Sequence, residues 1–120
     1  MQPRQMTATE KLLPLTPAVF HILLALADAD RHGYGIAQEL AARTEGRVRL
    51  GPGTLYGTLV RMTEAGLVAE KEKPKAAKSS ADERRRYYRI TPFGRDVARA
   101  EARRLANLVT VARAKALLAK

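Results

Sequence analysis

The chain has 120 residues, with 22 Lys and Arg against 12 Asp and Glu for a net charge of +10. That length fits one compact domain with one core, and the absence of cysteine excludes disulfides, thiolate zinc sites and a cysteine nucleophile together. So large a cationic surplus calls for an anionic partner, nucleic acid before a membrane surface or an acidic protein.

Residues 1–11 are polar and aperiodic and read as a frayed N-terminal arm. No signal-peptide h-region is present there. The longest apolar run, residues 18–27, is interrupted by His21 and falls short of the roughly 20 residues a membrane helix needs, so a cytoplasmic protein with no membrane partner is expected. Thr16 as N-cap and Pro17 at the first helical position open a first helix without wasting a backbone donor. Val19, Phe20, Leu23, Leu24 and Ala27 mark its buried side, and Leu12, Leu13 and Leu15 just before it either cover that core or meet a second subunit. Residues 28–35 read as a turn, and Ile36, Ala37, Leu40 and Ala41 carry a second helix over residues 34–43.

Residues 51–68 read GPGTLYGTLVRMTEAGLV. Leu55, Leu59 and Met62 recur at i, i+4 and i+7, which buries one stripe of a third helix and leaves Thr54, Gly57, Thr58 and Arg61 on other faces. Small hydroxyls, a glycine and an arginine suit a helix lying against a polyanion, with Thr58 and Arg61 as candidates to read base edges. Gly66 is suited to the left-handed C′ position and Leu67 then falls at C″, able to pack back on Met62. Helix, connection and helix with a polar outer face is the outline of a helix-turn-helix.

Residues 67–72 and 85–90 have strand character and the polar stretch between them carries Pro74 and a Ser79-Ser80 pair, which predicts a hairpin with a basic tip, a wing. Lys73, Lys75, Lys78, Arg84, Arg85 and Arg86 are its candidate phosphate contacts. A solvated charged loop also accounts for the tip, but less well for Arg84 to Arg86, whose like charges repel unless an anion compensates. Thr91-Pro92 repeats the capping device and opens one long helix over residues 93–118. Its seam of Val97, Leu105, Leu108, Val109, Ala112, Ala116, Leu117 and Leu118 outlasts a three-helix core, so Leu105, Leu108, Val109 and Ala112 are expected at a subunit interface, with folding back along the same domain as the alternative. Arg95, Arg99 and Arg103 read as a solvated stripe. The division expected is an arm (1–11), a winged helix-turn-helix domain (12–91) and a dimerisation helix (92–120), mainly α with a small β-hairpin.

Gly51, Gly53 and Gly57 approach a dinucleotide fingerprint, but the third glycine stands one position late, and no phosphate-loop lysine accompanies them. His21 and His32 lack metal-ligand spacing to carboxylates, and His21 reads as a satisfied, partly buried residue. No nucleophile, base or cofactor cradle is found, so neither an enzyme, a metal site nor a cofactor is expected.

HGYGIAQEL (residues 32–40), GPGTLYGTLVRMTEAGLV (residues 51–68) and RRRYYRITPFG (residues 84–94), in that order and spacing, resemble the PadR family of bacterial transcriptional regulators. The resemblance implies a winged helix-turn-helix, a homodimer built largely through the C-terminal helix, and repression at an inverted-repeat operator on double-stranded DNA. It also implies that Thr54 and Tyr56 of the GTLY motif stand at or beside the DNA, with Gly53 supporting them, and that the wing lies beside phosphates. Tyr34 of the HGY motif is implied to support the recognition helix or reach the backbone. The chain departs from many described members in having no tryptophan on the final helix, where Leu105 stands in about that place, so the type of any small-molecule inducer stays open. It looks like the compact subgroup with a single C-terminal helix. The alternative of another class is a winged-helix module that binds an acidic protein.

Overall fold

The computed structural model describes residues 6–71 and 86–119. A 3-10 turn, Glu10–Leu12, precedes α1 (Pro17–Ala27), β1 (Arg31–His32), α2 (Gly33–Arg43), α3 (Pro52–Glu64), β2 (Val68–Lys71), β3 (Tyr87–Ile90) and α4 (Pro92–Ala114). The strands form one antiparallel sheet in the order β1-β3-β2, with Val68 opposite Ile90, Glu70 opposite Tyr88 and His32 opposite Tyr87. The core lies between the three short helices, this sheet and the first turns of α4: Ile22, Leu23, Leu26, Ile36, Leu40, Leu55, Leu59, Met62, Val68, Tyr88 and Val97 are all buried.

Local chemistry sets the element ends. The Thr16 hydroxyl accepts from the Val19 amide at 3.3 Å and the Thr91 hydroxyl from the Gly94 amide at 2.9 Å, each followed by proline at N1. After α3, Gly66 has φ +79°, its amide donates to Thr63 O at 3.0 Å, and the Leu67 amide donates to Met62 O at 2.9 Å. This is the paired C-terminal bonding expected of Gly66 and Leu67. The same corner is gripped from α4. Thr91 Oγ1 donates to Gly66 O at 2.6 Å, and a Cβ on the buried Gly94 would collide with the Leu67 carbonyl, so only glycine lets α4 start there.

Several expectations are corrected. The buried residues of α1 are Ile22, Leu23, Ala25 and Leu26, whereas Leu24 and Ala27 are exposed and Val19 and Phe20 half-buried. An almost wholly apolar helix has no polar face to betray its phase. The sheet has three strands rather than a lone hairpin, because residues 31–32, expected as a turn, pair along β3. Within the expected arm, Glu10 N donates to Thr7 Oγ1 at 3.0 Å and Thr7 N to Glu10 Oε2 at 3.3 Å, a reciprocal cap. Leu12, Leu13 and Leu15 pack on the core of their own chain. Arg95 is half-buried and its Nη1 donates to Ala27 O at 3.2 Å, capping the end of α1, while Arg99 and Arg103 are exposed. The final helix stops at Ala114, with Ala116 at φ +63°.

One residue on α4 had no role in the sequence reading. Glu101 is only 2% exposed; Leu15 N donates to its Oε2 at 2.7 Å and Arg104 Nε to its Oε1. These bonds satisfy both carboxylate oxygens and fasten the N-terminal segment to α4. The Arg104 hydrogen bond, helped by the Leu15 amide, holds the Glu101 carboxyl below the usual carboxylate range against the opposing effect of burial.

Candidate nucleic-acid interface

The residues of α3 sort into three strips. Leu55, Thr58, Leu59 and Met62 face the core. Diametrically opposite, Gly53, Gly57, Val60 and Glu64 follow one another at i, i+4, i+7 and i+11 and form the outermost line of the helix. Tyr56 and Thr63 flank that line toward the sheet; Thr54 and Arg61 flank it on the other side.

Thr58 is therefore a correction. Expected on an exposed face, it is 3% exposed, its hydroxyl donating to Thr54 O at 2.7 Å and accepting from Arg61 Nη2 at 3.2 Å. It stands three residues after Leu55 and four before Met62, so the helical repeat carries it inward whatever its polarity. Arg61 is exposed, but its guanidinium is folded back over Thr58 and borders a shallow hollow with Leu12, Pro14 and Leu15.

The start of α3 is open. Gly51 is an N-cap without a side chain, Pro52 has no amide hydrogen, and the amides of Gly53 and Thr54 meet no acceptor among the described residues. Unsatisfied amides and the positive end of the helix dipole favour an anion here, and Arg47 and Arg49 lie exposed in the preceding loop. Among the described residues, a Cβ on Gly51 or Gly53 would meet nothing within 4 Å, and one on Gly57 only Arg61 Nη1 at 3.7 Å. Gly53 and Gly57 lie inside the helix, where glycine costs about 0.5–1 kcal/mol relative to alanine, and nothing among the described residues requires it there.

Tyr56 is 42% exposed, with one side of its ring on the buried Gly33, the first residue of α2. His32, just before it, accepts the Gly35 amide at Nδ1 (2.8 Å) and meets Tyr87 edge-on with ring centroids 5.3 Å apart, which fixes the start of α2 to the sheet. Tyr34 is exposed on α2 and borders a shallow hollow with Gln38 and Arg49. Between α3 and the inner face of β2–β3 runs a groove of about 600 Å³, lined by Tyr56, Leu59, Val60, Thr63, Glu64, Glu70, Arg86 and Tyr88. Arg86 pairs there with Glu70 at 3.1 Å, and burial, reinforced by the Glu70 carboxylate, pushes the Tyr88 phenol up. Lys71 pairs with Asp30 at 2.6 Å and ties the base of the wing to the turn before β1. Of the wing residues expected at phosphates, Arg86 is exposed in this groove, while Lys73, Lys75, Lys78, Arg84 and Arg85 lie outside the described residues.

Gly53, Thr54 and Tyr56 are thus brought together on the first two turns of α3, and Tyr56 shares a groove with Arg86; Thr58 is withdrawn into the core and Arg61 turned aside. Val60, Glu64, Arg47 and Arg49 did not figure among the expected residues. Counting outward from Leu55, Leu59 and Met62 would have found the first two. On α4, Leu105, Val109 and Ala112 are half-buried, Leu108 is 54% exposed, and none of the four joins the core cluster. His21 is half-buried with its Nδ1 3.1 Å from Arg43 Nη1, the satisfied state expected of it. Among the described residues no group of acids and histidines could hold a metal ion, and no helix is long and apolar enough to cross a membrane.

Comparison with known proteins supplies the family. Residues 22–100 match the model of the transcriptional regulator PadR-like family. Among curated proteins, the transcriptional regulator Rv3488 of Mycobacterium tuberculosis is 36% identical over 88 residues, 73% of this chain and 75% of that protein. An uncharacterised 37.1 kDa protein in transposon TN4556 of Streptomyces fradiae is 39% identical over 87 residues, 72% of this chain but only 22% of that longer protein. Among solved structures, a PadR family transcription regulator from Clostridium difficile R20291 superposes with a TM-score of 0.67 at 26% identity, covering 82% of this chain and 96% of that one. A transcriptional regulator from Clostridium thermocellum shares the fold, with a TM-score of 0.65 at 24% identity over 78% of this chain and 84% of that one. With its winged-helix fold and three motif stretches in register, the chain belongs to the PadR-like family of transcriptional regulators and regulates by binding DNA.

Proposed function

We propose that the protein is a sequence-specific repressor that acts as a homodimer on an inverted-repeat operator. The observation that carries this reading is the start and outer line of α3, where two glycines that no described residue requires and two amides without an acceptor among the described residues follow a loop that carries the exposed Arg47 and Arg49. A helix so shaved can enter a major groove while its first turn and the flanking arginines take phosphates. The anchoring residues are Gly53, Thr54 and Tyr56, supported by Tyr34. Lys73, Lys75, Lys78, Arg84, Arg85 and Arg86 of the wing meet phosphates, and Arg61 acts from the flank, at the backbone. Dimerisation through Leu105, Leu108, Val109 and Ala112 gives a partner to the apolar second half of α4, none of whose four residues joins the described core.

The test is fluorescence anisotropy with the duplex upstream of the protein's own coding sequence and with a scrambled duplex of equal length, at moderate salt. The reading expects tighter binding to the first by at least a hundredfold, a modest specificity ratio for such proteins. Equal binding to both would overturn it.

A further inference from the structure

We infer that Val60 is a specificity-determining residue of α3, packing on the 5-methyl group of a thymine in the major groove. This rests on the reading of α3 as the helix that enters DNA and names what its centre recognises. Val60 is 57% exposed and sits in the middle of the outermost line of the helix. On its N-terminal side that line is made of Gly57 and Gly53, which have no side chain to hold the duplex away. The Tyr56 ring, one turn earlier on α3, is seated over Gly33.

The surroundings decide which part of the duplex this line faces. Glu64 follows Val60 on the same line, its carboxylate is repelled by phosphates, and an isopropyl group offers phosphates nothing; Glu70, across the groove, is paired with Arg86. A line of glycine, valine and glutamate in a chain of net charge +10 therefore faces base edges, with the cationic residues to its sides. Valine has neither donor nor acceptor, and the apolar feature that distinguishes one base from the others in the major groove is the thymine methyl. With glycines on the line, a side chain as short as valine can reach it.

The test uses the duplex that the wild-type protein binds best, with each thymine replaced in turn by deoxyuridine, which removes only the methyl. Binding is read by anisotropy at fixed salt. Burying one methyl corresponds to about a fourfold change in affinity, so the wild type should lose about fourfold at one thymine per half-site and about fifteenfold when both halves are changed. Val60→Ala, an exposed helical position where alanine is the better helix former, should bind the thymine and uracil duplexes equally and melt no lower than the wild type. If no thymine is methyl-sensitive, or if Val60→Ala keeps the same sensitivity, the assignment is overturned while the reading of α3 stands. If no duplex is preferred at all, both are overturned.

Discussion

The ring of Tyr56 rests on the α-carbon of Gly33: a Cβ at position 33 would come within 2.6 Å of the Tyr56 Oη and 2.7 Å of its Cζ. This contact joins the HGY and GTLY motifs and sets the angle at which the exposed edge of Tyr56 is presented beside α3. Gly33→Ala should fold, because the far end of one side chain can yield, but at a cost of about 1 kcal/mol and with Tyr56 displaced. In a Tyr56→Ala background that cost should disappear. Chemical denaturation of the four proteins closes the cycle, and strictly additive losses would show that the contact carries no energy.

Adjacent positions on α3 should respond in opposite ways. Gly57→Ala places a methyl in ordinary contact with Arg61 Nη1, 3.7 Å away, so it should raise stability by about 0.5–1 kcal/mol while weakening operator binding. Thr58→Val removes a buried hydroxyl bonded to Thr54 O and Arg61. It should cost about 1 kcal/mol of stability and leave the ratio of operator to random binding unchanged. Thermal melts paired with anisotropy measure both, and a Gly57→Ala protein that binds as well as the wild type would remove the argument from glycine.

Glu101 should give the protein part of its acid sensitivity. Its folded carboxyl is held below the ordinary value by Arg104 and the Leu15 amide, so the stability it contributes is fully present above the unfolded carboxylate pKa and is lost as pH falls through the folded one. Glu101→Gln should lower stability near neutrality by about 1–2 kcal/mol, since one of the two bonds to Leu15 and Arg104 is lost or weakened. The gap from wild type should then close on acidification. Melting temperature followed from pH 7 to pH 3 shows this, and a gap that stays constant or widens would assign the acid sensitivity to other groups.

Leu108→Asp puts a charge on an exposed position of α4 that touches no part of the core. Sedimentation equilibrium should find the wild type dimeric and this variant monomeric, with an unchanged far-ultraviolet circular dichroism spectrum. A variant that remains dimeric would place the subunit interface elsewhere.

What could be read from the sequence was whatever depends on neighbours along the chain. Thr16-Pro17, Thr91-Pro92 and Gly66-Leu67 end or begin elements through bonds spanning a few residues, and each does so as expected. The phase of α1 was not legible, because a helix apolar nearly all round offers no contrast. Nor was β1, two residues that are a strand only because β3 runs beside them. Glu101 looks like any solvated helical acid until Leu15, 86 positions away, is laid against it. Thr58 shows the opposite case: its hydroxyl suggests solvent, but its spacing from Leu55 and Met62 points inward, and position decides.

The most direct test of the whole account is selection from a pool of random duplexes by the wild-type protein, followed by sequencing of the bound fraction. A dimer that reads DNA with the outer line of α3 should enrich an inverted repeat whose half-sites lie about one helical turn apart, roughly 34 Å, or a multiple of it. A bound fraction with no enriched motif, or with a single unpaired half-site, would contradict it.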